Sequence, residues 1–240
     1  GIFSASLAVL LIDAIGVAAV YYGIALLSLI VLLLMLKLPL SGTSGAGSRS
    51  VWSDISAGAK YIRVCPSMMP LLGLVFLRGL LTMPYRTLMP KYAEDVMGLD
   101  ATGLGILVAA PGAGSLISSL VMASLGDFSG KGKLLLRSGV VLGLALVLFA
   151  NTQSFLLVLF LLALVGATSN TCMVTNRTLL QENCEDAYLG RVMSAYMMMF
   201  GLTQLGSIPF GAFADRFGVP WVLGSLGGLF VLAIGAVWVK

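Results

Sequence analysis

Long apolar runs dominate this sequence, and their length limits the folds open to it. Because an α-helix rises about 1.5 Å per residue, roughly 20 apolar residues cross the hydrocarbon core of a bilayer. Backbone inside lipid finds no water, so its polar groups must be satisfied within the segment, as they are in a helix. Seven runs are predicted to span in this way: 17–36, 68–89, 102–125, 134–150, 155–174, 192–213 and 219–239.

The start of the chain carries one shorter apolar run, 2–12, which is too short to span a bilayer. The sequence begins with Gly1 inside this run rather than with Met, and no signal peptide is visible. We interpret the run as the end of a helix that begins upstream. The prediction is an all-α membrane protein with seven complete transmembrane helices and one partial helix, a fragment of a longer protein.

Composition excludes most other classes of protein. Hydrophobic residues make up 59% and charged residues 10% of the chain, against about 25% charged residues in soluble domains. The net charge of +4 does not indicate nucleic-acid binding, because the basic residues lie between apolar runs. The three cysteines have no paired spacing and the chain contains no histidine, which argues against a metal site or a disulfide framework.

The basic residues predict the orientation of the chain. Alternating the runs across the membrane places ten basic residues on one side and three on the other. The larger group is Lys37, Arg49, Lys60, Arg63, Lys131, Lys133, Arg137, Arg177, Arg191 and Lys240; the smaller is Arg86, Lys91 and Arg216. The positive-inside rule makes the first side cytoplasmic. We therefore predict a protein of the cell membrane whose long linker and C-terminus both face the cytoplasm.

The longest connection, 39–66, is predicted to be a cytoplasmic linker. Its residues 41–50 are rich in Ser, Gly and Thr, which is typical of a flexible tether. Residues 51–62 place apolar side chains on one helical face, with Trp52 and Tyr61 at its ends. This pattern favours a short interfacial helix; a solvated loop is the alternative.

A motif around the connection between the fifth and the sixth complete runs resembles a motif of a known family. Thr-Leu-Leu-Gln at 178–181 and Leu-Gly-Arg-Val-Met-Ser at 189–194 are similar to the loop between the tenth and eleventh helices of the major facilitator superfamily. The closest branch is its prokaryotic drug and siderophore exporters, which usually carry Arg where Leu189 stands. The resemblance makes Arg191 a candidate residue of a gating loop.

A second family signature is only partly present, in residues 123–133. Asp127, Gly130 and Lys131 fit the family's pattern, whereas Ala123 and Phe128 do not. The resemblance implies that Asp127 pairs with a cation of the adjoining bundle in one conformation only, as a latch on the cytoplasmic gate. The alternative is a glycine-rich turn whose charges are solvated and fix the topology.

The fold implied by this resemblance is a twelve-helix protein made of two six-helix bundles, which rock around a central cavity. Residues 1–38 would end the first bundle with its partial fifth and its sixth helix. The linker would occupy 39–66 and the second bundle 67–240. The missing N-terminal helices of the same chain are then a necessary partner.

Polar residues deep in the runs are the candidates for a substrate path, because lipid makes them costly. Arg78 lies midway along the run 68–89, and no acidic residue of the other runs lies at similar depth. Its partner can be a carboxylate of the missing helices, backbone carbonyls or an anionic substrate. A purely structural pairing, or snorkelling of the side chain, is the alternative.

Five further candidates accompany Arg78, each with a packing role as its alternative. Asn170 and Asn176 belong to a polar stretch of the tenth helix, and Tyr196 and Gln204 lie in the eleventh. Tyr85 lies near the outer end of the seventh and can either line the outer mouth or anchor the interface.

No chemistry of catalysis is apparent in the sequence. It has no histidine, no phosphate-binding loop and no paired carboxylates within an apolar run, so we predict neither an enzyme nor an ATP-driven pump and no cofactor. The resemblance implies a secondary active exporter of small molecules, by alternating access and antiport with protons. A lipid or lysophospholipid transporter of the same fold and a transport-inactive scaffold or sensor are the alternatives.

Overall fold

The computed structural model describes residues 22–23, 25–34, 61–65, 67–126, 128–206 and 208–238. The chain divides into two compact units, Gly1–Val51 and Trp52–Lys240. In the first unit the structure describes one apolar helix, α1 (Ala25–Leu34), which lies inside the predicted run 17–36. The run 2–12, residues 35–60 and most of the remaining part of 17–36 lie outside the described residues.

The second unit is helical throughout the part that the structure describes, with no strand. After a helical turn at 61–64 its elements are α2 (Met68–Thr82), α3 (Pro84–Lys91), a π-helical turn (Tyr92–Val96), α4 (Ala101–Leu125), α5 (Lys131–Ala150), α6 (Phe155–Glu182), α7 (Asp186–Gly206), α8 (Ile208–Phe217) and α9 (Val219–Trp238). Five spans among the described residues are long and apolar enough to cross a membrane. The predicted all-α membrane fold is confirmed.

The helix ends differ from the ends of the apolar runs, and the polar residues explain why. Helix α4 begins at Ala101, one residue before the predicted run 102–125. The Asp100 side chain accepts a hydrogen bond from the Gly103 amide at 2.9 Å and caps the helix there. Helix α6 continues to Glu182, past the predicted end at 174. The length of an apolar run matches the thickness of the hydrocarbon core. A helix can continue beyond that core, as far as its backbone hydrogen bonds continue.

Two of the predicted runs are each covered by more than one described helix. The break between α2 and α3 falls at Met83, because Pro84 has no amide hydrogen to donate to the preceding turn. Together α2, α3 and the π-helical turn form one span, Met68–Val96. The predicted run 192–213 covers parts of α7 and α8, which are separate helices on either side of residue 207, itself outside the described residues.

Close helix packing depends on glycines. Helix α4 packs along α6, α6 along α5, and α5 along α9, while α2 contacts α6, α7 and α9. A Cβ atom built on Gly114 of α4 would lie 1.8 Å from the Ala163 carbonyl oxygen, and one built on Gly166 of α6 would lie 2.0 Å from the Pro111 oxygen. The backbones of α4 and α6 therefore touch directly, as small residues allow in membrane bundles.

Contacts group the loops of the second unit at two ends. At one end Lys131 forms an ion pair with Glu182, and the Tyr61 ring stacks on Tyr188 with centroids 4.2 Å apart. At the other end Lys91 forms an ion pair with Asp215. Because α5 runs from Lys131 at the first end to Ala150 near the second, the helices alternate in direction as the sequence predicted.

Candidate functional site

The predicted mid-membrane cation, Arg78, is almost completely buried between helices. Its side chain is 5% exposed and lies on the face of α2 that turns toward α6. One guanidinium nitrogen, Nη1, donates a hydrogen bond to Ser169 Oγ of α6 at 3.1 Å. A buried charge without an opposite charge costs several kcal/mol on the order-of-magnitude scale for ions removed from water. The site therefore holds an electrostatic imbalance.

The surroundings of Arg78 do not remove that imbalance. The titratable groups that act on it electrostatically are Cys172, Tyr196, Tyr85 and Arg86, and none of them is a carboxylate. Among the described residues, the acidic side chains lie at the ends of the helices or in the connections between them. No three described Cys, Asp or Glu side chains converge as ligands of a metal ion.

Three of the predicted path residues share one small cavity. Arg78, Asn176 and Tyr196 line a space of about 20 Å³ between α2, α5, α6, α7 and α9, together with Cys172 and apolar side chains. A cavity of this size has room for about one water molecule. The structure thus brings Arg78, Asn176 and Tyr196 together around one small, mostly apolar chamber.

Asn176 is an unusual member of this chamber because one of its polar atoms lacks a partner. Its Nδ2 donates to the Leu71 carbonyl of α2 at 3.0 Å, which fixes the amide. Its Oδ1 is buried and accepts no hydrogen bond from the described residues. Leaving such an acceptor unpaired costs about 1–3 kcal/mol.

Tyr196 closes the chamber from α7. The side chain is 4% exposed, and the guanidinium carbon of Arg177 lies 5.7 Å from the centre of its ring. A cation at this distance from an aromatic face is attracted by the ring quadrupole. Arg177 therefore helps to hold Tyr196 against the cavity.

The structure places Asn170 away from the chamber. Its Nδ2 lies 2.9 Å from Ser119 Oγ and 3.3 Å from the Ser115 carbonyl, both on α4. Asn170 thus contributes hydrogen bonds between α6 and α4 in this conformation. The side chain of Gln204, in α7, lies outside the described residues.

Tyr85 lies two residues beyond the break at Met83, toward the end of the bundle that contains Lys91. Its side chain is 4% exposed, and its hydroxyl accepts a hydrogen bond from Arg86 Nε at 3.3 Å. Tyr85 belongs to a large apolar cluster that extends to Phe149 and Phe230. It does not line the chamber of Arg78.

Sequence reasoning missed Ser169, which accepts a hydrogen bond from Arg78, and Cys172, which lines the chamber. Ser169, Cys172 and Asn176 follow one another at intervals of three and four residues, so they lie on the same face of α6. Cys172 is 3% exposed, and its Sγ lies 3.1 Å from Ser138 Oγ of α5. The helical spacing could have revealed both residues once Asn176 was chosen.

Three of the predicted gating-loop residues, Gly130, Lys131 and Arg191, lie at the end of the bundle that contains the Lys131–Glu182 ion pair. Gly130 precedes α5 with a φ of 107°, a conformation that favours glycine. Arg191 of α7 lies 5.5 Å from the centre of the Tyr188 ring. Asp127 lies outside the described residues.

Glu182 and the Tyr61–Tyr188 stack were not predicted at this end. Lys131 and Glu182 border a cavity of about 540 Å³ between α4, α5 and α6, which has Thr175 and Thr178 on its wall. The Tyr61 hydroxyl also accepts a hydrogen bond from the Glu185 amide at 3.1 Å. These contacts connect the turn at 61–64 to the loop between α6 and α7.

The spans and the buried cation define a class of protein: a multi-pass helical membrane protein that keeps a charge inside its bundle, as transporters do. The chain belongs to the major facilitator superfamily, because the sequence model described as Major Facilitator Superfamily matches residues 1–205. The resemblance seen in the two loop motifs is confirmed.

Individual relatives are transporters. The chain is 30% identical over 152 residues to the Staphyloferrin A transporter of Staphylococcus aureus (strain NCTC 8325 / PS 47), a match that covers 60% of this chain and 37% of that protein. It is 31% identical over 185 residues to Enterobactin exporter EntS of Escherichia coli O81 (strain ED1a), covering 76% of this chain and 44% of that protein. The same protein of Shigella dysenteriae serotype 1 (strain Sd197) is equally similar.

The chain spans less than half the length of these curated relatives. No solved structure matches it significantly.

Proposed function

We propose that this chain forms the second helix bundle of a secondary active exporter of small molecules, of the siderophore or drug type, in the cytoplasmic membrane. The observation that carries the proposal is Arg78, a charge that is 5% exposed within a bundle of a transporter family. Burial of such a charge persists in membrane proteins where it serves a substrate or ion path. The relatives named for siderophores support the class of substrate.

Alternating access is proposed from membership of the family, and the small size of the chamber supports a conformation that does not yet admit substrate. In the proposed mechanism residues 67–240 rock against a first bundle that ends with 1–38, while the linker 39–66 connects them on the cytoplasmic side. Arg78, Asn176 and Tyr196 face the substrate when the chamber widens, and Tyr85, Asn170 and Gln204 line the path elsewhere. Asp127, Gly130, Lys131 and Arg191 form the cytoplasmic gating region.

Proton antiport is the proposed source of energy. A transporter that is coupled to protons needs a group that binds a proton more tightly in one of its two conformations. Arg78 is unsuited to that role because a guanidinium stays protonated, and the described carboxylates lie at the ends of helices or between them. We therefore propose that the proton-binding acid belongs to the first bundle.

Substrate efflux tests the proposed function directly. Cells that carry the intact gene should accumulate less siderophore or drug than cells without it. Arg78→Gln in the intact gene should reduce efflux at least tenfold, because the buried charge is lost while the side chain keeps a polar end. Arg137→Gln is the matched control, since Arg137 lies exposed on α5.

Two outcomes would contradict parts of this proposal. Normal efflux by the Arg78→Gln variant, at an unchanged amount of protein in the membrane, would remove Arg78 from the substrate path. Absence of efflux of every candidate molecule by the unmutated protein would instead favour a membrane scaffold or sensor.

A further inference from the structure

An apolar groove lies between α8 and α9, far along the chain from the chamber of Arg78. The turn between these helices contains Gly218, whose φ of 86° favours glycine. From α8 the groove is lined by Phe210, Phe213 and Phe217, whose spacing of three and four residues places them on one face of the helix. From α9 it is lined by Trp221, Val222, Ser225, Leu226 and Leu229.

The groove is long and open along one side. Val222 and Leu226 are buried and form its floor, whereas Phe213 and Trp221 are exposed at its rim. Its volume is about 440 Å³, within the range of sites for small ligands. Trp221 and Leu229 are eight residues apart on α9, which is about 12 Å along a helix. The groove therefore runs along the helices, from the end of the bundle with Lys91 toward the middle of the membrane.

The lining of the groove offers very little hydrogen bonding. The Ser225 hydroxyl already donates to the Val222 carbonyl at 2.9 Å. The other lining side chains are apolar, apart from the indole N–H of Trp221. A polar molecule would lose its hydrogen bonds to water in such a groove and gain few in return. The groove is therefore suited to a hydrocarbon chain.

A positive charge lies at the surface end of the groove. Arg216 is exposed, and its guanidinium carbon lies 5.9 Å from the centre of the Phe217 ring, which lines the groove. The adjacent carboxylate of Asp215 pairs with Lys91, and no described carboxylate forms an ion pair with Arg216. Arg216 therefore offers a positive charge one side chain away from the apolar groove.

We propose that the groove binds an acyl chain of an anionic phospholipid from the surrounding membrane, with the phosphate of this lipid against Arg216. The order of the features matches such a molecule, because the cation and Trp221 lie at the surface end and the apolar lining continues below them. A soluble anion would leave the groove empty, and a neutral lipid would leave Arg216 without a counter-charge. The inference goes beyond the proposed function, because it holds whatever molecule the protein transports.

Phospholipids with brominated acyl chains test this inference on the purified intact protein in detergent. Bromine quenches tryptophan fluorescence on contact, so the quenching that Trp221→Phe removes measures occupancy of the groove. Brominated phosphatidylglycerol should bind about fivefold more tightly than brominated phosphatidylcholine with the same chains, the effect expected of one basic residue near a membrane surface. The choline of the second lipid compensates its phosphate, whereas phosphatidylglycerol keeps its negative charge.

Substitutions then separate the roles of the charge and of the groove. Arg216→Gln should make the two affinities equal, whereas Arg137→Gln, at an exposed position of α5, should leave the preference unchanged. Phe213→Ala should weaken the binding of both lipids by about threefold or more, because apolar contact with the chain is lost. Its matched control is Phe160→Ala, since Phe160 is exposed on α6 outside the groove, and this variant should change neither affinity.

The inference is overturned if neither lipid quenches Trp221, because another segment, such as a helix of the first bundle, then covers the groove. Equal affinities of the unmutated protein for the two lipids would also overturn it, as would an equal loss of preference in Arg137→Gln. The comparison of the two lipids needs no variant other than the Trp221→Phe reference, and Arg216 and Phe213 are both exposed, so a folding defect does not decide the result. Efflux in cells is a separate measurement, so the proposed function can stand when this inference fails.

Discussion

At the scale of single residues, the position of Arg78 shows how much a pattern of hydrophobicity can reveal. A basic residue in the middle of an apolar run must lie either inside the bundle or in lipid, and the cost of exposure to lipid favours the inside. The structure places it there, with 5% of its side chain exposed. The sequence had also left open that the side chain snorkels toward the membrane surface.

Its neighbours were harder to predict. Which side of α6 faces α2 and which faces α4 depends on how the helices pack, and periodicity does not contain that information. Asn170 and Asn176 therefore looked equivalent in the sequence. In the structure Asn176 lies at the chamber, whereas Asn170 bonds to serines of α4.

Tyr92 provides a residue-scale test of stability. Its hydroxyl, on a side chain that is 0% exposed, donates to the carbonyls of Phe149 and Thr152 at the end of α5. Tyr92→Phe should lower the free energy of unfolding by about 1 kcal/mol, because the buried carbonyls lose a donor. Thermal unfolding in detergent measures the change.

The control for this experiment is Tyr22→Phe, since Tyr22 is 77% exposed and should tolerate the loss of its hydroxyl. Equal unfolding temperatures for the two variants would mean that the Tyr92 hydrogen bonds contribute nothing to stability.

At the scale of helices, the sequence predicted which segments are helical better than it predicted where each helix begins and ends. Every run of the second unit corresponds to helix in the structure, but α6 is longer than its run and the run 192–213 belongs to two helices. A proline alone does not predict where a helix is interrupted, because Pro111 lies inside the continuous helix α4. Whether a proline breaks a membrane helix depends on its neighbours.

The contact between α4 and α6 gives an element-scale prediction. Gly114→Val should destabilise the protein by about 3 kcal/mol or more, because even a Cβ atom would lie 1.8 Å from the Ala163 oxygen. The two helices would have to separate along their whole contact. Thermal unfolding of the purified protein and its yield in membranes measure the effect.

Gly105→Val on the same helix is the matched control. A Cβ atom there meets nothing within 4 Å, so this variant should unfold near the temperature of the unmutated protein. If both variants were equally stable, the direct backbone contact between α4 and α6 would not be essential.

At the scale of the whole molecule, the distribution of basic residues predicts which end faces the cytoplasm. The end with Lys131 carries most of the positive charge, and the end with Lys91 carries little. Within the second unit, the Lys131–Glu182 ion pair lies at the first of these ends and the Lys91–Asp215 ion pair at the other. The orientation itself follows from the positive-inside rule and remains a prediction.

Cysteine labelling tests the orientation. In a variant without native cysteines, Asp95→Cys should react with a membrane-impermeant maleimide added to intact cells, while Lys133→Cys should react only after permeabilisation. Both positions are exposed, so access decides the result. The reverse pattern would invert the protein in the membrane and make the proposed cytoplasmic gate extracellular.

The direct backbone contact between α4 and α6 has a mechanical consequence. Helices separated by side chains can slide by exchanging rotamers, but Gly114 against Ala163 and Gly166 against Pro111 leave no side chain to rearrange. We therefore expect α4 and α6 to move together as one rigid pair. We expect the chamber to widen instead by movement of the other helices that line it, above all α2, which is interrupted at Met83.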